Sequence, residues 1–188
     1  VYKVIYKLRD EIGRKVQKIV KVKVTSSLPA PKIRNAQDIY VKSADQLTRG
    51  RALKNVTITQ KGKELARKYI KVIFKKQKKG VYKVTYKAQN ASNLTEVSVK
   101  AYVDSQAPNI QFNKSVVNVS QGTTVKELKD ILLDEDSYIL WDNVDPTPTV
   151  TIENMLTEAN LNNQGIHEVK YVLKDSSGNQ RIVTRYVK

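Results

Sequence analysis

Residues 166–188, IHEVKYVLKDSSGNQRIVTRYVK, decide the fold. Two runs of alternating apolar and polar residues flank a turn of Asp175, Ser176, Ser177, Gly178 and Asn179. Alternation of period two, a polar turn and alternation again mark an antiparallel hairpin with one buried face. A two-stranded ribbon is barely stable alone in water, so the hairpin must belong to something larger. Two earlier stretches supply the context: VYKVIYKLRDEIGRKVQKIVKVKV (1–24) and VYKVTYKAQNASNLTEVSVKAYV (81–103). Val4, Val84 and Val169 correspond, as do Tyr6, Tyr86 and Tyr171, and the copies start 80 and then 85 residues apart.

The repeat sets the organisation. Proline segments follow the first two copies, SSLPAPKI (26–33) and DSQAPNI (104–110), and read as short stiff linkers. Residues 1–32 are expected to be the closing hairpin of a truncated preceding domain plus linker, with the hairpin ordered by contact with something. Residues 33–106 and 107–188 are expected to be two complete domains. Each is near the lower size limit for burying a core alone. Strand-like runs include QDIYVKS, LKNVTITQ, YIKVIFKK, SVVNVS and TPTVTIEN, and many short strands with turn signals predict small β-sandwiches. In TVKELKDILLDE (124–135), Val125, Leu128, Ile131 and Leu132 are spaced as on a helix. KGKELARKYI (61–70) suggests a second, weaker helical turn.

Composition narrows the function. The 188 residues are 40% hydrophobic and 28% charged, as in a globular protein, and lack cysteine. That removes disulfides, thiolate catalysis and cysteine-ligated zinc. No apolar run approaches the roughly 18 residues of a membrane-spanning helix. Val1 opens directly into strand-like sequence, and the chain is read as a fragment of a longer polypeptide. The net charge of +16 is uneven: +7 over 1–32, +12 over 33–104 and −3 over 105–188. Such asymmetry points to separate domains and an anionic partner for the first part.

The resemblance rests on the last hairpin together with WDNVDPTPTVTIEN (141–154). This region resembles the bacterial immunoglobulin-like repeats of cell-surface proteins, a group close to the hyalin-type repeats. Gly165, Val169, Tyr171, Asp175, Gly178 and Asn179 fall on that pattern, as do Asp142, Asn143 and Asp145. The first hairpin keeps Asp10 and Gly13 but has Arg14 in place of the Asn. The middle copy keeps Gly80, Val84 and Tyr86, with Asn90 and Asn93 in place of the Asp and Gly. The resemblance implies an all-β chain of tandem immunoglobulin-like β-sandwiches, with a short helix in the last domain. Read from chemistry alone, these residues mark the fold: Asp bonds turn amides, Gly and Asn accept positive φ, and an inward Tyr anchors its hydroxyl on backbone.

No catalytic constellation stands out. His167 is the one histidine and has no Ser or Asp partner in the sequence, and no phosphate loop or histidine metal motif is present. The acidic run Asp134, Glu135 and Asp136 reads as a solvated face. The expectation is therefore a non-enzyme with no cofactor. Calcium is the one metal weighed, with Asp142, Asp145 and Asp175, beside Asn143, as oxygen donors; their spacing differs from the twelve-residue calcium loop. The candidate binding residues for a polyanion are Lys61, Lys63, Arg67, Lys68, Lys71, Lys75, Lys76, Lys78 and Lys79, against the single acid Glu64. Nucleic acid fits less well, because two Phe and one Trp leave few rings for stacking. The expected role is a structural or adhesive segment of an extracellular Gram-positive surface protein: a spacer, surface-layer or adhesin repeat in the cell wall. Its expected partners are teichoic acids and other anionic wall polymers, or host glycans and proteins, with self-assembly through edge strands. The alternative is a carbohydrate- or polyanion-binding accessory module of a secreted wall-active enzyme.

Overall fold

A computed structural model describes residues 1–23, 28–90 and 93–188. Residues 26–27 of the first proline segment and 91–92 of the second turn lie outside the described residues. The strands run in chain order as β1 (Tyr2–Arg9), β2 (Lys15–Val22), β3 (Lys32–Arg34) and β4 (Ile39–Val41). A helical turn at Ala44–Gln46 and helix α1 (Arg49–Ala52) precede β5 (Thr57–Gln60), β6 (Lys63–Glu64), β7 (Ile70–Lys78), β8 (Val81–Gln89) and β9 (Leu94–Val103). Then come β10 (Asn109–Phe112), β11 (Val116–Val117), α2 (Val125–Leu132), β12 (Tyr138–Trp141), β13 (Thr149–Ile152), α3 (Glu158–Leu161), β14 (His167–Lys174) and β15 (Gln180–Val187). The chain is all-β with short helices, and each of the three aligned stretches forms a pair of neighbouring strands: β1–β2, β8–β9 and β14–β15.

The repeat extends from sequence into pairing. β4 runs parallel to the end of β9, Ile39 opposite Ala101, within the sheet order β4-β9-β8-β7. β11 likewise runs parallel to the end of β15, Val116 opposite Tyr186, in the order β11-β15-β14-β13. β3 pairs antiparallel with β5, as β10 does with β12. β10 and β12, both missed in the sequence reading, are the second sheet of the last sandwich.

The chain packs as two compact units: Val1–Ala36 with Leu53–Ile73 and Thr85–Ser98, and Gln37–Ala52 with Phe74–Val84 and Val99–Lys188. In the first, Leu53, Val56, Ile58, Ile70 and Tyr86 are buried. The described part of its proline segment is held by side-chain amides: Gln60 and Asn90 donate to Pro29 O, and Asn93 to Leu28 O. In the same unit β1 and β2 pair over eight positions, yet all sixteen strand residues are exposed. Among the described residues, none covers either face of this hairpin. An apolar stripe specifies which face is to be covered but supplies no cover.

In the second unit, Val117, Leu128, Leu132, Leu156, Val169, Tyr171, Leu173 and Val187 form one core, flanked by Ile110, Phe112 and Leu140 from β10 and β12. Tyr171 stands 4.9 Å from Phe112, ring centre to ring centre, and its hydroxyl donates to Leu132 O at 3.0 Å. The buried Arg185 donates to Lys114 O and lies over the Phe112 ring. α2 forms where the apolar spacing predicts, and opens with a capping box in which Thr124 and Glu127 satisfy each other's amides. The helical turn expected over 61–70 is only a short 3₁₀ stretch at Arg67–Tyr69 after β6. Lys61 (φ 51°) and Gly62 (φ 75°) spend the start of that stretch on a reversal from β5 into β6. The helical segments of the middle region are instead Ala44–Gln46 and α1.

Candidate functional site: a buried carboxylate cluster and a basic strand

The turn between β14 and β15 builds one wall of the site. Asp175 N donates to Asn179 O, Gly178 N donates to Asp175 O, and Asn179 N donates to Asp175 Oδ1 at 2.7 Å. Gly178 sits at φ 91°, a left-handed conformation for which glycine needs no compensation. The β1–β2 turn has the same bonds: Asp10 N to Arg14 O, Gly13 N to Asp10 O and Arg14 N to Asp10 Oδ1. The middle turn is one residue shorter. Asn90 N donates to Asn93 O and Asn93 N to Asn90 Oδ1, so Asn93 replaces Asn179 rather than the Gly.

The copies differ in charge. Arg14 Nε lies 2.6 Å from Asp10 Oδ2, so the first turn neutralises its own carboxylate. Asn179 offers only a neutral amide, whose Nδ2 donates to Asp175 Oδ2 at 2.8 Å and to Asp104 O at 2.9 Å. Through that second bond the turn gathers Asp104, which follows β9 and donates its own N–H to Val41 O. The connection after β12 adds Asp142, whose Oδ1 accepts from Val144 N and Asp145 N. One carboxylate oxygen from each of Asp104, Asp142 and Asp175 lies within 4.8 Å of the others.

Of the three calcium candidates, the structure therefore brings together Asp142 and Asp175 and adds Asp104, which the sequence reading assigned to a linker. Asp145 is buried but spent on amides, with Oδ1 accepting from Thr147 N and Oδ2 from Ser176 N at 2.6 Å. Asn143 reaches Asp104 Oδ1 at 3.4 Å. A signal for this site was present in the sequence: residues 130–169 contain no Lys or Arg. Lys42 passes near, its Cε 3.5 Å from where a Gly178 Cβ would stand. No Lys or Arg among the described residues pairs with the three carboxylates.

Burial pushes the Asp104 pKa up, and the charges of Asp142 and Asp175 add to it against the Gln106 N–H and Asn143 bonds. A carboxyl whose folded-state pKa is raised contributes stability below its unfolded value of about 3.9 that is lost as pH climbs through the raised value. Asp145 is the opposite case. Burial raises its pKa, but the bonds from Thr147 and Ser176 outweigh burial and hold it low. Its contribution is present above about pH 3.9 and is lost as pH falls through the lowered value. In chelator, Asp104 is accordingly expected to make melting temperature decline as pH rises from about 3.9 through its raised value, while Asp145 makes it fall on acidification below about 3.9. Asp104→Asn should flatten that decline while leaving the acid limb; an unchanged decline in the variant would refute the assignment to Asp104.

The basic candidates all lie at the surface. Lys61 occupies the β5–β6 turn, Lys63 β6, and Arg67 and Lys68 the 3₁₀ turn, with Lys68 Nζ 5.3 Å from the centre of the Tyr69 ring. Lys71, Lys75, Lys76 and Lys78 lie on β7 and Lys79 just after it, all exposed. On β7 the alternation holds in part: Ile70 is buried and Lys71 and Lys75 are exposed, but Ile73 between those lysines is half-buried like Val72 and Phe74. β7 is an edge strand of its sheet. His167 opens β14, with a ring nitrogen 3.0 Å from Asn163 O.

No family model and no curated protein matches the chain. Among solved structures, the crystal structure of mouse protocadherin-24 EC1-3 aligns over 99% of this chain and 78% of its own, at 10% identity and a TM-score of 0.23.

Proposed function

We propose that the chain is a structural or adhesive segment of an extracellular Gram-positive surface protein, made of tandem immunoglobulin-like repeats of the bacterial, hyalin-related kind. The observation that carries this reading is the recurrence of one pairing scheme in the middle and last parts of the chain: a first strand in an antiparallel second sheet, a second strand parallel to the end of the hairpin, and the closing hairpin itself. Repeated modules of this sort serve as spacers or lattice elements. The exposed lysines of β6, β7 and the turns beside them support contact with teichoic acid or another anionic wall polymer, held mainly by charge. Lysines on β7 also repel a neighbouring copy of that edge, so self-assembly falls to the largely apolar stripe of β1–β2, which Lys18 interrupts opposite Tyr6. A second reading, a glycan-binding accessory module, draws support from an amide-rich groove of about 530 Å³ that includes Gln121, Asn162, Asn163 and Gln164.

The test is co-sedimentation with purified cell walls, native or stripped of teichoic acid, across a salt series. Native walls are expected to retain the chain, and affinity should fall steeply with salt. Replacing Lys71, Lys75 and Lys76 by Gln should lower the salt slope by about one per cation removed. Salt-independent retention, or equal retention on stripped walls, would rule out the polyanion reading; sugar-competed retention would favour the accessory module.

A further inference from the structure

We propose that Asp104, Asp142 and Asp175 form a calcium site, joining the end of β9, the β12–β13 connection and the β14–β15 turn. Two oxygens bound to one calcium at about 2.4 Å can stand no more than about 4.8 Å apart. The three carboxylates meet that bound. A second observation, independent of the spacing, concerns unserved carboxylate oxygens in the group. Asp104 is 4% exposed, and no donor among the described residues reaches its Oδ2. Asp142 Oδ2 is equally shielded and equally without a donor. Buried carboxylate oxygens without donors are strongly disfavoured unless a cation or a proton serves them.

The first hairpin shows what neutralisation by the protein itself looks like. There an arginine follows the same turn and pairs with its Asp. Here the corresponding residue is Asn179, and the charge is left for a ligand. The donors are all oxygen, with no His or Cys, which selects a hard cation. They come from three separate chain segments with no fixed octahedral frame, which favours calcium over magnesium. The Asn143 amide, already beside Asp104, adds a neutral oxygen if it turns by 180°. Asp145 is a positioning residue: it ties Ser176 of the turn to the β12–β13 connection.

The experiment uses the whole chain, stripped with chelator, and calcium chloride as the probe in calorimetric titration and thermal melting. Binding is expected near about 1 mM, as for extracellular calcium modules. At tenfold excess over the dissociation constant the melting temperature should rise by about 3–6 °C. Asp104→Asn and Asp142→Asn should each abolish both heat and shift, whereas Asp136→Asn, outside the group, should retain them. The wild-type titration decides even if a variant fails to fold. Absence of heat and shift in the wild type up to about 10 mM would overturn the proposal. So would an undiminished shift in both cluster variants, and an equal response to magnesium would overturn the choice of calcium. The outcome does not depend on the surface-protein reading, since only the chain and the ion are present.

Discussion

Tyr171→Ala is expected to destabilise the second unit by about 3–5 kcal/mol in urea unfolding, the usual cost of deleting a buried aromatic ring. The ring is 0% exposed and packs against Phe112. Its hydroxyl bonds Leu132 O and lies 3.4 Å from Arg185 Nη1. Removing it opens a cavity and takes an acceptor from a buried guanidinium. Tyr171→Phe separates the two effects, because the ring stays and only the hydroxyl goes; about 1–3 kcal/mol is expected. The repeat supplies its own control. Tyr6 occupies the same place in the first hairpin but is 58% exposed, so Tyr6→Ala should change stability by no more than about 0.5 kcal/mol. Comparable losses at Tyr6 and Tyr171 would mean that the first hairpin is packed after all.

That pair of residues also shows what the sequence could and could not convey. The Val-x-Tyr alternation is the same in all three copies, and all three form strand pairs where it predicts. Burial differs because it depends on partners: β14 has β13 beside it and β8 has β7, while among the described residues β1 pairs only with β2. No local pattern encodes that difference. β10 and β12 escaped for another reason. Asn109–Phe112 follows Pro108 closely enough to read as linker, and Tyr138–Trp141 has no period-two pattern to mark it. The turn chemistry of Asp10, Asn90 and Asp175 was legible as fold-marking. Asp104 was not legible as a site residue, because its place depends on a bond from Asn179, seventy-five residues away. A reading that tracked absent charge as well as present charge would have noticed the stretch without Lys or Arg around Asp142.

Helix α2 was the most legible non-strand element, and it carries the second large effect. Leu128→Ala and Leu132→Ala are each expected to cost about 2–5 kcal/mol, since both side chains are fully buried in the same core. Ile131 shares their helical spacing in the sequence but is 43% exposed, so Ile131→Ala should stay within about 0.5 kcal/mol. The contrast tests rotation of the helix about its axis, which the spacing alone leaves open between neighbouring faces. Leu132 adds a second comparison, because its carbonyl accepts the Tyr171 hydroxyl. Leu132→Ala keeps that carbonyl, so its loss measures packing. In the double variant with Tyr171→Phe, any departure from additivity measures how far the hydroxyl bond depends on the packed helix. A departure of about 0.5 kcal/mol or more is expected between such contacting sites. Additive losses would show that the Tyr171 bond survives when the helix loosens. Equal losses at Ile131 and Leu132 would show that α2 buries a different face.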